Sequence, residues 1–237
     1  MAQKVLILGA GGQLGRKLCE AFASRNWQTF GADVLPVAMT SSVKIHVDVK
    51  PHQQGQQLLA LLRGHLGEQG RLDAVVNVAG GFAMGAAADE GVLENTKNMV
   101  ESSLYSSVAA AHVACHTLRA GGLVVLPGAA AAMSPTPWSL PYGAAKAAVH
   151  HLVRSLDEAS GLPAGAKTIG MAPQILDTSQ NRQAMPDADH RTWATLEEVA
   201  DKVVSWCSNP RDVQSGQVYV IEKLPGLAAS FEAQPPL

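Results

Sequence analysis

The sequence predicts an α/β fold, a doubly wound parallel sheet of about seven strands with helices on both faces. Two observations carry that prediction. Short apolar runs alternate with longer segments whose apolar residues recur at helical spacing. That alternation is the βαβ order that builds a parallel sheet. The chain has 237 residues, 47% hydrophobic and 16% charged, enough for one large buried core without disulfide support.

Residues 5–8 read as the first strand and 13–24 as the helix after it, with Leu14, Leu18, Ala21 and Phe22 on one side. Residues 28–34 and 44–47 are the second and third strands. Residues 53–66 form a helix on the spacing of Leu58, Leu61, Leu62 and Leu66, and 74–78 the fourth strand. Residues 93–118 are helical, in one or two pieces, and 123–126 are the fifth strand. Residues 141–159 form a helix with proline at its start, where a missing N–H costs little. The sixth strand is 168–172. Residues 195–207 form a helix with Thr195 as cap and Glu197 and Glu198 in its first turn. The seventh strand is 218–221. Pro225, Pro235 and Pro236 mark the tail from about residue 223 as loose coil. No repeat and no linker divides the chain, so residues 1–237 are read as a single domain.

Net charge is −2, which gives no general attraction to nucleic acid or to an anionic membrane. Cys19, Cys115 and Cys207 form no CxxC pair, against a disulfide framework or zinc knuckle and for a reducing compartment. The longest uncharged stretch, 120–145, carries four prolines and cannot span a lipid bilayer as a helix. The N-terminus enters an apolar run with no charged leader, so a cytoplasmic protein is expected. His112 and His116 are four apart but find no further ligand cluster, so no metal is expected. His150 and His151 are expected to meet solvent or a partner. Met39, Met99 and Met133 read as gap fillers.

Parallel sheets of this kind bind ligands at the carboxyl ends of their strands. After the first strand comes GAGGQLG, with Gly9, Gly12 and Gly15 at spacing three. These glycines let the backbone turn sharply against a pyrophosphate, and Gln13, Leu14 and Gly15 open a helix whose free N–H groups point at it. Leu14 stands where the G-x-G-x-x-G pattern has its third glycine, and an ordinary glycine-rich turn is the bland alternative. A dinucleotide site makes the fold Rossmann-type. Asp33 closes the second strand, 18 residues after Gly15. It is placed either to accept hydrogen bonds from the adenosine ribose or to cap a turn. Residues 32–38 hold no Lys or Arg for a 2′-phosphate, which favours NADH over NADPH. Asp48 lies either near the adenine or in a solvated turn.

Residues 77–81, NVAGG, place Ala79, Gly80 and Gly81 in a tight turn under such a cofactor. The apolar stretch after them walls a flat pocket or is packed loop. Tyr142-Gly-Ala-Ala-Lys146 puts a phenol and an ammonium on one helix face. The cation favours phenolate and is expected to lower the tyrosine pKa, making Tyr142 a proton donor near neutral pH. Lys146 is also placed to hold the nicotinamide ribose.

With these pieces the sequence resembles the short-chain dehydrogenase/reductase family, and within it the dihydropteridine reductase branch. The resemblance runs from about residue 4 to 221 and rests on GAGGQLG, SRNW, VAGGFAMG, PYGAAKAAVHHL and LDTSQNRQAMPDAD. It implies NADH-dependent reduction of a quinonoid dihydropterin, with Tyr142 and Lys146 as catalytic pair. Thr178 would then contact cofactor, residues 178–193 would form a lid, and Phe82, Trp138 and Asn181 would meet the pterin. A homodimer built on the helices after the fourth and fifth strands is implied too. The run 108–111 suits close helix packing there, or core. Most of the family has a serine thirteen positions before the tyrosine; here it is Ala129. The branch shares that absence, in keeping with a substrate whose reacting atoms include no carbonyl. Ser103 stands where many members carry asparagine, and Phe82 where the branch often has tryptophan. A reductase of another carbonyl or conjugated substrate, and a non-catalytic NAD(H)-binding protein, are the alternatives.

Overall fold

The computed structural model describes residues 2–35, 43–67, 70–158 and 161–235. Met39, Ala159 and Pro236, read above as gap filler, helix end and tail breaker, lie outside the described residues. The strands are β1 (Lys4–Leu8), β2 (Gln28–Asp33), β3 (Val43–His46), β4 (Leu72–Asn77), β5 (Leu118–Pro127), β6 (Lys167–Pro173), β7 (Leu176–Asp177), β8 (Ala194–Thr195), β9 (Val218–Glu222) and β10 (Ser230–Gln234). Eight of them form one sheet in the order β10-β9-β6-β5-β4-β1-β2-β3, parallel except at the β9–β10 pair. The order reverses at β1, which lies between β2 and β4. A crevice forms at the strand ends where the connections part to opposite faces.

The helices are α1 (Gln13–Ala23), α2 (Gln54–Leu66), α3 (Val92–Met99), α4 (Ser106–Thr117), α5 (Leu140–Asp157), α6 (Ser179–Ala184) and α7 (Leu196–Ser208). They cover both faces, which is why the central strands are continuous apolar runs rather than alternating ones. Val5 and Ile7 enter one core with Phe22 of α1 and Val203 of α7. Leu6 and Leu8 enter the other with Leu62 of α2, Ala114 of α4 and Val153 of α5. Each such leucine or valine contributes about 2 kcal/mol by leaving water. Thr195 caps α7 in a full capping box with Glu198, as its sequence predicts. No helix among the described residues is long and apolar enough to cross a membrane.

One open alternative is settled and two expectations are corrected. Helical residues from 92 onward do not break into separate pieces: α3 runs through a wide π turn, Val100–Tyr105, into α4. The Ser106 and Ser107 hydroxyls donate to the carbonyls of Ser102 and Ser103, competing with backbone amides and loosening that turn. Leu118, expected to end the helix, opens β5 and pairs with Leu72; Gly122 makes room, since a Cβ there would sit 2.7 Å from the Leu118 side chain. The tail is not loose coil, because β10 pairs with β9 as an eighth strand. Phe231 packs edge-on against Trp206 at 5.6 Å, and Ala229 N–H donates to the Glu198 carboxylate, which also holds Lys223. A short, polar edge strand carries little periodic signal.

Candidate functional site

The crevice is built from the glycine turn upward. Gly9 has φ +77°, and a Cβ on it would lie 2.5 Å from the Ala79 amide nitrogen. A Cβ on Gly15 would lie 2.1 Å from the Gly9 carbonyl oxygen. Only glycine allows this closeness between the β1–α1 turn, the α1 backbone and the loop after β4. Gly12 is the N-cap of α1 and supplies no side-chain acceptor, so the first amides of an 11-residue helix stay free for an anion. Leu14 buries its side chain in the core, and the Gln13 side chain accepts from Ser179 N–H, tying α1 to α6.

Asp33 accepts from Gly11 N–H at 2.8 Å and from Leu35 N–H at 3.0 Å. Each carboxylate oxygen keeps a lone pair for a hydroxyl. A cavity of about 680 Å³ opens here, bounded by Gly9, Gly12, Asp33, Gly80, Met99 and Glu101 among others. No lysine or arginine lines it among the described residues. Asp48 is exposed and paired with Gln57, on the solvated-turn alternative.

Asn77 ends β4 fully buried. Its Oδ1 accepts from Ala79 N–H while its Nδ2 donates to the Ser106 and Ser107 hydroxyls. One side chain therefore joins the loop 78–81 to the first turn of α4. A Cβ on Gly80 would lie 3.2 Å from Lys146 Nζ and 3.3 Å from Ser103 Oγ. Ser103 Oγ is buried with no partner among the described residues. A free helix N-terminus, a cradle with no room for a Cβ, and an orphaned hydroxyl beside an ammonium fit a bound group rich in phosphate and hydroxyl oxygens.

Tyr142 and Lys146 stand one turn apart on α5, with Nζ 5.8 Å from the phenol ring centroid. Lys146 is buried and donates to the Pro127 carbonyl at 2.9 Å. The expected lowering of the Tyr142 pKa is corrected. Burial pushes the phenol up to about 12 and holds the Lys146 ammonium down to about 8. Desolvation disfavours both charged forms, and a buried amine at this distance does not offset it for the phenol. Tyr142 thus keeps its proton across the neutral range.

Phe82 lies edge-on to Tyr142 at 5.0 Å and beside Trp138 at 6.3 Å. A strap holds the three together: Ser139 Oγ donates to Ala83 O, Gly85 N–H to Trp138 O, and Leu140 N–H to Gly85 O. Phe82 and Trp138 are about half exposed and form an open aromatic wall. Gly143 admits Thr136 against α5, since a Cβ there would strike its hydroxyl.

Thr178 and Asn181 stand apart from this cluster. Thr178 Oγ1 accepts from Asn181 N–H as the cap of six-residue α6, and Asn181 Nδ2 donates to Leu176 O. Both side chains are engaged within their own segment. His112 and His116 pack against each other on the exposed side of α4, and no metal-ligating cluster occurs among the described residues. Met99 and Met133 sit buried and half-buried, as gap fillers do. The solvent-facing expectation for His150 is corrected: it is 1% exposed, because it follows Lys146 by one turn on the buried side of α5. Asn77 and Ser139, which tie the loops of the crevice together, and the buried His150 are the residues that sequence reasoning missed. Only the polar character of Asn77 at a strand end hinted at one.

A family model described as short chain dehydrogenase matches residues 3–189. A dihydropteridine reductase from Dictyostelium discoideum is 35% identical over 210 residues, covering 88% of this chain and 89% of that protein. A short-chain dehydrogenase/reductase from Serratia marcescens superposes with TM-score 0.79 at 20% identity, over 92% of this chain and 96% of that one. BdcA, solved in complex with NADPH, superposes with TM-score 0.76 at 19% identity, over 97% and 96% of the two chains. The two superpositions speak for the fold.

Proposed function

The chain belongs to the short-chain dehydrogenase/reductase family and is an oxidoreductase of that class; from that premise we propose that it reduces quinonoid 6,7-dihydropterin to the tetrahydropterin with NADH. The observation that carries the proposal is the aromatic wall of Phe82 and Trp138, joined to Tyr142 through Phe82, in a chain with no hydroxyl at residue 129. Such a wall suits a flat heterocycle, and a carbonyl reductase would need a donor for its developing oxyanion. The 35% identity to the Dictyostelium discoideum enzyme supports the same substrate class.

NADH supplies hydride, and one proton completes the two-hydrogen reduction. Every other task falls to the chain. The turn at Gly9, Gly12, Gln13, Leu14 and Gly15 receives the pyrophosphate on its amides, and Asp33 accepts from the adenosine ribose. Ala79, Gly80 and Gly81 pass beneath the nicotinamide half. Lys146 holds its ribose, and Thr178 reaches it when the 178–193 segment closes as a lid carrying Asn181 toward the pterin. Tyr142, protonated at neutral pH, hands its proton to the product nitrogen. The Asp33 and Glu101 carboxylates, on a cavity wall that holds no lysine or arginine among the described residues, disfavour the 2′-phosphate of NADPH. The same reading takes the enzyme as a cytoplasmic homodimer joined through the outer faces of α4 and α5, where Val108 is exposed and Tyr105 is exposed on the π turn before it.

The test mixes protein, NADH and chemically generated quinonoid dihydropterin and follows NADH absorbance. Rapid oxidation is expected; oxidation with ketones alone, or tight NADH binding without turnover, overturns the proposal. Tyr142→Phe is expected to lower turnover about a hundredfold while NADH affinity stays.

A further inference from the structure

We infer that His150 is a positioning residue for Lys146, fixing the Gly128–Ala129 peptide and through it the Pro127 carbonyl that holds the lysine ammonium. The inference rests on the reading of Lys146 as a working residue of the site. Lys146 and His150 lie one turn apart on α5 and face the end of β5 together. Lys146 Nζ donates to Pro127 O at 2.9 Å. Ala129 N–H donates to His150 Nε2 at 3.2 Å. Only Gly128 separates the two anchored peptide groups.

The contact is close by construction. A Cβ on Gly128 would lie 2.6 Å from His150 Nε2, so this glycine lets the ring reach the backbone. Beyond Pro127 the sheet gives no further support, since Pro127 and Met171 are the last pair between β5 and β6. A buried backbone N–H just past a strand end needs an acceptor from elsewhere, and the imidazole provides it.

Accepting at Nε2 places the imidazole proton on Nδ1. Nδ1 is buried and has no partner among the described residues. An orphaned polar group of that kind is destabilising. A side chain retained for packing alone would avoid that cost by being apolar. Protonation would remove the Nε2 acceptor and set a second cation near Lys146. Burial and the Lys146 charge hold the His150 pKa down to about 4, so the ring stays an acceptor through the neutral range.

The first measurement is the imidazole ¹⁵N spectrum of the ligand-free protein from about pH 5 to about pH 8. Nε2 is expected bare and Nδ1 protonated throughout; a protonated Nε2 overturns the inference. The second compares wild type, His150→Leu and His150→Gln by reductive methylation of Lys146, read by mass spectrometry, and by steady-state kinetics. In H150L, Lys146 is expected to be methylated about tenfold faster and kcat to fall about tenfold, with pterin KM little changed. H150Q, whose Oε1 reaches the same N–H, is expected to restore both. Unchanged methylation and kcat in H150L overturn the inference. Should H150L not fold, H150Q decides alone: a protected Lys146 supports the inference and a freely methylated one overturns it. A wild type that turns over no pterin, while Lys146 responds as described, sinks the substrate reading and leaves this inference standing.

Discussion

Phe82 stands edge-on to Tyr142, with ring centroids 5.0 Å apart and planes at 66°. A residue on a loop after β4 thereby becomes a wall beside the phenol of α5. The strap through Ser139 and Gly85 holds it there, so the wall does not rely on the ring contact alone. In the proposed reaction this wall carries substrate affinity and has no part in proton transfer.

Phe82→Ala is accordingly expected to raise the pterin KM about tenfold, the worth of one lost aromatic contact, and to leave NADH affinity unchanged. Phe82→Trp should hold KM at or below the wild-type value. Steady-state kinetics and NADH fluorescence titration read both. An alanine variant with unaltered KM would remove Phe82 from substrate binding.

Lys146 carries a stability signature. Its folded-state pKa, held down to about 8 by burial, lies below the 10.5 of an unfolded lysine. The unfolded chain therefore binds this proton more readily, and stability is reduced below about pH 8. The penalty fades as pH rises from about 8 to about 10.5. Lys146→Met removes the penalty while orphaning the Pro127 carbonyl. A net gain of about 1–2 kcal/mol at neutral pH is expected, with turnover abolished. Urea unfolding should show that gain shrinking near pH 10; a variant less stable than wild type at neutral pH would contradict the account.

His150 shapes the acid side. Its folded pKa, pushed down to about 4 by burial and by Lys146, lies below the unfolded 6.5. The unfolded state takes up the proton first, so stability is lost as pH falls from about 6.5 toward about 4 and is complete above that window. The loss is expected to reach about 2–3 kcal/mol. In His150→Leu the slope over this window should flatten. Thermal melts at about pH 7 and about pH 5 measure it, and parallel slopes would place the acid sensitivity elsewhere.

Asp33→Ala removes the acceptor for Gly11 N–H and one of the negative charges on the cavity wall. NADH efficiency should fall and NADPH efficiency rise, narrowing their ratio about tenfold. Ratios of kcat/KM for the two cofactors decide it. A ratio that does not move removes Asp33 from cofactor discrimination.

The order of strands and helices, the parallel sheet and the glycine turn were legible in the chain. These follow from apolar runs and spacings within a few residues, which act wherever the segment folds. Tyr142 and Lys146 share a face for the same reason, because helical periodicity is local. Tertiary structure alone decided that Phe82 reaches both Tyr142 and Trp138, that His150 turns inward to an amide beyond β5, and that residues 230–234 add an edge strand. It also reversed the expected direction of the Tyr142 pKa. Each of these depends on what distant segments bring alongside, and burial raises the cost of charge by an amount that no spacing along the chain encodes.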